Sequence, residues 1–194
     1  QEVAATWQEY VDYQDIRVLE IGMDLAYFDH LKRLAKDLGH PLLESLVTLT
    51  IDCYNVITVE RALSLKKPSS FMKQLLSDAG TLSAGEVIQH VEQGHLISWF
   101  QQVNPLPYDV ELTRYEEQMR AGRVTAETVE YLEHVIKYRI LEQASFETDG
   151  PLPLARYLFG KELEVKNLRL VLTGLDNQLP IEKIKERMRP IYGQ

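Results

Sequence analysis

From Ile16 the apolar residues Leu19, Met23, Tyr27, Leu31, Leu34 and Leu38 recur in steps of three and four, which lines one face of a helix. Gly39 suits a left-handed stop, and Pro41 suits the first turn of a second helix, where its missing N–H costs nothing. That helix, about 41–65, is apolar on nearly every side (Leu42, Leu46, Val47, Ile51, Val56, Val59, Leu63) and should be the buried centre of a bundle. Pro68 and the Ser69-Ser70 pair then predict a short helix with Phe71, Met72, Leu75 and Leu76, ending near Gly80. Ser83 and Glu86 have capping-box spacing and open another that closes at Gly94. Helices over 96–103 and 108–121 follow, the latter ending at Gly122. Thr125 is placed to cap a long helix with Val129, Leu132, Ile136 and Ile140, broken by Asp149-Gly150-Pro151. Pro153 opens the last long helix, expected to reach Thr173 and stop at Gly174, and Pro180 opens a short one over 181–189. No segment shows sustained period-two alternation with a hairpin turn, so the reading is all-α: repeated antiparallel helical bundles.

One unit of this pattern occurs twice. A shift of 112 residues pairs Pro41 with Pro153, Leu42 with Leu154, Leu46 with Leu158, Asn55 with Asn167, Val59 with Val171, Leu63 with Leu175, Pro68 with Pro180 and Lys73 with Lys185. Those are eight identities over the 42 ungapped positions from 41 to 82, well above the two or three that composition alone would supply. The domain division this implies is 1–82 and 83–194, with the first copy incomplete because it would begin about 29 positions before Gln1. Asp52 falls on Glu164, so an acid stands three before an Asn in both copies, on one helical face. An acid and an amide inside an apolar helix must find partners. Asp52, Asn55, Glu164 and Asn167 are therefore read as a structural hydrogen-bond motif fixing how neighbouring helices dock, not as catalytic residues.

Composition narrows the function classes. The chain of 194 residues is 45% hydrophobic and 26% charged, an ordinary globular balance. Uncharged stretches such as 53–59 fall far short of the apolar run of roughly 20 that crosses a bilayer, so no direct membrane span is expected. Net charge is −8, which disfavours nucleic acid as a partner. Residues 108–149 carry ten acidic and five basic groups, against five and seven in 161–194; solvated faces are the simplest account. Cys53 is the only cysteine, mid-helix among apolar neighbours, which excludes an internal disulfide and fits a reducing setting.

No catalytic, cofactor-binding or metal site emerges. The histidines 30, 40, 90, 95 and 134 lack metal-ligand spacing and are expected at the surface, and the glycines stand singly rather than in a phosphate loop. Trp99 and Phe100, beside Asn104-Pro105-Leu106-Pro107, could anchor a partner or be buried in the chain's own core, the simpler reading. Glu127, Glu130 and Glu133 read as a solvated helix face.

The stretch Lys161-Glu-Leu-Glu-Val-Lys-Asn-Leu-Arg-Leu-Val-Leu-Thr-Gly174, with Leu179-Pro-Ile-Glu-Lys-Ile-Lys-Glu-Arg-Met-Arg-Pro-Ile-Tyr192, resembles the carboxyl end of the C subunit of V-type and archaeal-type ATP synthases. Ile51 to Ala62 resembles the same motif in the preceding domain. The resemblance implies three such helical domains, of which about one and three quarters are present, forming a funnel-like all-α socket. It further implies a non-catalytic central-stalk component, cytoplasmic and peripheral to the membrane. Its partners would be the central shaft subunits and the membrane rotor ring, and its work the coupling of ATP turnover to proton or sodium transport without a cofactor. A helical-repeat adaptor is the alternative, but such repeats run near 35 to 45 residues, roughly a third of the period here.

Overall fold

The structure is a computed structural model that describes residues 2–14, 16–103, 110–121, 124–191 and 193. It is 76% helical, and among the described residues there is no strand. The helices are α1 (Glu2–Tyr13), α2 (Ile16–Leu38), α3 (Pro41–Ser64), α4 (Ser69–Leu75), α5 (Ala84–Glu92), α6 (Leu96–Val103), α7 (Val110–Arg120), α8 (Ala126–Glu142), α9 (Leu152–Asp176) and α10 (Ile181–Glu186). α1 lies ahead of the periodicity that began at Ile16 and was not anticipated.

The described residues of 1–103 and 108–129 form one compact unit, and those of 130–194 form a second. This division differs from the 82/83 boundary because it follows packing, whereas the repeat follows register. The first unit is built around α3, which packs on α2, α4 and α5. Leu49, Ile51, Val56, Ile57, Val59 and Ala62 of α3 are buried, and the Phe28 and Tyr54 rings meet at 4.6 Å between α2 and α3. In the second unit Leu132, Ile136 and Ile140 of α8, Leu152 and Leu163 of α9, and Ile184 of α10 are buried.

Most helix ends follow sequence chemistry. Gly39 closes α2 at φ +64°. Ser83 and Glu86 form the full capping box, and the Thr128 N–H donates to Thr125 Oγ1 at 3.3 Å ahead of α8. Residues 108, 109 and 122, at the expected limits of α7, and the connection 104–107 lie outside the described residues. Trp99 and Phe100 are buried, as the core reading expects.

Two readings need correction. By length and composition α3 is apolar enough to cross a membrane, which counting uncharged runs missed because Glu44 and Asp52 interrupt an otherwise apolar window. Its burial against α2, α4 and α5, with Asp52 and Asn55 hydrogen-bonded inside, gives the apolar character another cause: it is the core helix of a bundle. The histidines are not all at the surface either. His134 is buried, because α8 turns it toward α9, where Lys166 meets it.

Candidate functional site

The feature that occurs twice is a joint between a long helix and the segment that folds back on it. In the first copy Asn55 Nδ2 donates to the Ser77 carbonyl at 2.8 Å, and the Ser77 N–H donates to Asn55 Oδ1 at 3.0 Å. In the second, Asn167 Nδ2 donates to the Arg189 carbonyl at 3.0 Å, and the Arg189 N–H donates to Asn167 Oδ1 at 2.8 Å. Ser77 and Arg189 are themselves 112 residues apart. One amide side chain thus satisfies both backbone polar groups of a residue that no helix can serve, which is what burial of a loop backbone requires. The tie also explains why α4 ends at Leu75 and α10 at Glu186, short of the limits expected from sequence. The chain must leave helical geometry to present those groups to the asparagine.

The helix ends repeat in the same register. After α3 the Lys67 N–H donates to the Ala62 carbonyl at 2.9 Å and Lys66 to Leu63 at 2.8 Å; after α9 Leu179 donates to Gly174 at 2.8 Å and Gln178 to Leu175 at 3.0 Å. These are paired Schellman closures, with Lys66 and Gln178 both left-handed at φ 54°. Pro68 and Pro180 then start the short helices, each accepting through its carbonyl from the residues three and four later. The sequence stop at Gly174 was therefore misplaced. That glycine is buried inside α9, where an added Cβ would lie 2.7 Å from Ile184 Cδ1. It permits α10 to approach, and a glutamine takes the strained position.

The two acids part company. Asp52 is buried, accepting from the Thr81 N–H at 2.7 Å and the Thr81 hydroxyl at 2.6 Å. Burial raises its pKa above the ordinary carboxylate value, opposed by those two hydrogen bonds and by the Lys32 charge. Gly80 makes room for it, since a Cβ there would lie 2.3 Å from Asp52 Oδ1. Glu164 instead accepts from Lys161 Nζ at 2.8 Å in a partly exposed ion pair one turn away. So Asp52 and Asn55 share a node with Thr81 and Ser77, while Asn167 holds its turn with Glu164 outside it. The partners were invisible in the repeat because Ser77 and Arg189 contribute only backbone, where identity carries no signal.

The second copy has a different polar neighbour. Lys166 Nζ and His134 Nε2 lie 2.7 Å apart, and an ammonium can only donate, so the imidazole accepts at Nε2 and carries its proton on Nδ1. Nδ1 is buried with no hydrogen-bond partner. Burial, then the charges of Lys166, Arg189 and Lys137, push the His134 pKa down to about 3. Glu162 accepts from Lys166 at 2.6 Å on the exposed side. Among the described residues no group of three or more His, Cys, Asp or Glu could hold a metal ion. The polar atoms of the node are occupied in closing turns, which suits them to holding shape.

A family model described as ATP synthase (C/AC39) subunit matches residues 1–187, nearly the whole chain. The chain belongs to that family. Among relatives of this C/AC39-family chain is the C subunit of the V-type sodium ATPase of Enterococcus hirae, 30% identical over 177 residues, which cover 90% of this chain and 52% of the relative. The C subunit of the A-type ATP synthase of Pyrococcus horikoshii is 25% identical over 175 residues, covering 89% and 47%, respectively. That of Thermococcus onnurineus is 29% identical over 150 residues, covering 75% and 38%. The chain thus spans about half the length, or less, of the curated relatives it matches. No solved structure matches it at a significant level.

Proposed function

We propose that this chain is part of a non-catalytic central-stalk component of a rotary V-type ATP synthase or ATPase. In this reading the protein is a socket that links the rotating shaft to the membrane rotor ring and so couples ATP turnover to proton or sodium transport. It works at the cytoplasmic face of the membrane, held there through the complex. The observation that carries the reading is the family match over residues 1–187, joined to relatives named as the C subunit of V-type and A-type enzymes. The repeated joint supports it physically. A part that passes torque by fit needs long helices locked at fixed angles, and Asn55 and Asn167 lock theirs through paired backbone hydrogen bonds.

The test uses the full-length protein in its native complex. Removing it should leave ATP hydrolysis by the catalytic head and abolish ATP-driven ion movement, and the tagged protein should co-purify with shaft and ring subunits. Ion transport that persists without it, or failure to recover either partner, refutes the reading.

A further inference from the structure

The second copy keeps the joint and changes what surrounds it. His134 and Lys137 of α8, Lys166 of α9 and Arg189 after α10 stand where the first copy has Gly22, Leu25, Tyr54 and Ser77. Three cations and an imidazole thus replace four uncharged residues at the one shift of 112. The first copy makes its Asn55–Ser77 tie without any of them, so closing the joint does not require them.

These residues leave buried donors without acceptors. His134 is only 8% exposed, and its Nδ1 carries the proton because Nε2 accepts from Lys166 Nζ at 2.7 Å. That Nδ1 has no hydrogen-bond partner. Arg189 Nε is likewise buried and unpartnered, while its Nη1 donates to the Arg187 carbonyl at 3.1 Å. Asn167 holds the Arg189 N–H and carbonyl, so the guanidinium extends from a fixed point. The charges of Lys166, Arg189 and Lys137 all bear on the His134 ring. Glu162 pairs with Lys166 and Glu133 with Lys137, but among the described residues no acid pairs with Arg189. A buried N–H without an acceptor is costly, and two of them beside concentrated positive charge call for an acceptor that is itself negative.

We infer that His134 Nδ1 and Arg189 Nε, with Lys166 and Lys137 alongside, form a binding site for a small free oxyanion of the inorganic phosphate class. An oxyanion offers separate oxygens to donors that come from two elements, and it suits guanidinium and imidazole N–H groups. Water would accept from both donors and leave the repulsion among the cations uncancelled. Burial of the ring selects a free ion over a phosphate carried on a lipid or a protein.

The inference does not rest on the socket reading and concerns the second unit alone. It is tested on the isolated full-length protein, isotope-labelled at its histidine rings and titrated with inorganic phosphate at constant pH and ionic strength. The His134 Nδ1 resonance should shift and saturate with phosphate but not with chloride. Arg189→Gln, which keeps the main-chain tie to Asn167, should weaken phosphate binding by roughly tenfold or more. Lys183→Gln, an equal loss of charge at an exposed position of α10, should leave it within about twofold. Phosphate also stabilises proteins generally by exclusion from their surface, so thermal melts are compared between the two variants. Only Lys183→Gln should retain the wild-type gain in melting temperature when phosphate replaces chloride. A wild-type titration that does not saturate, or that chloride matches, overturns the inference, and that measurement needs no variant. Saturation unchanged in Arg189→Gln overturns it too, because the anion then sits elsewhere.

Discussion

Asn167 and Arg189 exchange two hydrogen bonds, side-chain amide against main-chain peptide, at 3.0 and 2.8 Å. Asn55 and Ser77 do the same at the same register. An apolar side chain of similar size would orphan a donor and an acceptor in a buried setting. Asn55→Leu should therefore cost about 2–4 kcal/mol of folding stability. Asn167→Leu should cost less, because Asn167 is slightly more accessible and Arg189 is only half-buried. Urea or thermal denaturation measures both; melts matching wild type would show that the joint does not hold the fold.

The α-helical class, the helix order and the repeated unit were legible in the sequence because they rest on side-chain periodicity, proline positions and register. Asn55 and Asn167 were legible as a pair for the same reason. What they bind was not, since Ser77 and Arg189 act through backbone. Glu164 matches Asp52 in sequence but not in surroundings: Thr81, which receives Asp52, has Gly193 as its counterpart, and that residue brings no hydroxyl. Glycine was a dependable stop signal at Gly39 and a misleading one at Gly174, where close packing rather than φ explains it.

Gly174→Ala tests that packing role. The new methyl would press on Ile184 Cδ1 at 2.7 Å and Cγ1 at 2.8 Å, so a helix-propensity gain of about 1 kcal/mol should be outweighed by overpacking of about 1–3 kcal/mol. Shortening the opposing side chain with Ile184→Val should recover part of the loss, giving favourable coupling in a double-mutant cycle. The first copy already holds an alanine at the equivalent position, Ala62, opposite Met72 in register. Additive effects would show that Gly174 and Ile184 do not constrain each other.

The left-handed residues point to an easy gain in stability. Lys66 and Gln178 sit at φ 54° with exposed side chains, a conformation that costs a residue with a Cβ roughly 1 kcal/mol and glycine almost nothing. Lys66→Gly and Gln178→Gly should each stabilise by about 0.5–1 kcal/mol, despite glycine's greater freedom in the unfolded chain. A drop in melting temperature for both would mean that their side chains contribute more than their backbone costs.

His134 makes the second unit sensitive to acid. Its pKa falls from 6.5 to about 3 on folding, so between those values the unfolded chain binds the extra proton and stability must rise with pH. The contribution is fully present above pH 6.5, declines as pH is lowered, and is lost by about pH 3. At about 1.36 kcal/mol per unit the whole span is worth roughly 5 kcal/mol, an upper figure if the buried ring relaxes toward water. The cause is local: protonation would set an imidazolium against Lys166 at 2.7 Å, with Arg189 and Lys137 adding to the repulsion. In His134→Gln the side-chain oxygen can still accept from Lys166, and no group titrates in its place. The variant should therefore lose less stability than wild type between about pH 6.5 and pH 4, whatever its stability at neutral pH. Parallel curves of unfolding free energy against pH would place the acid-sensitive group elsewhere.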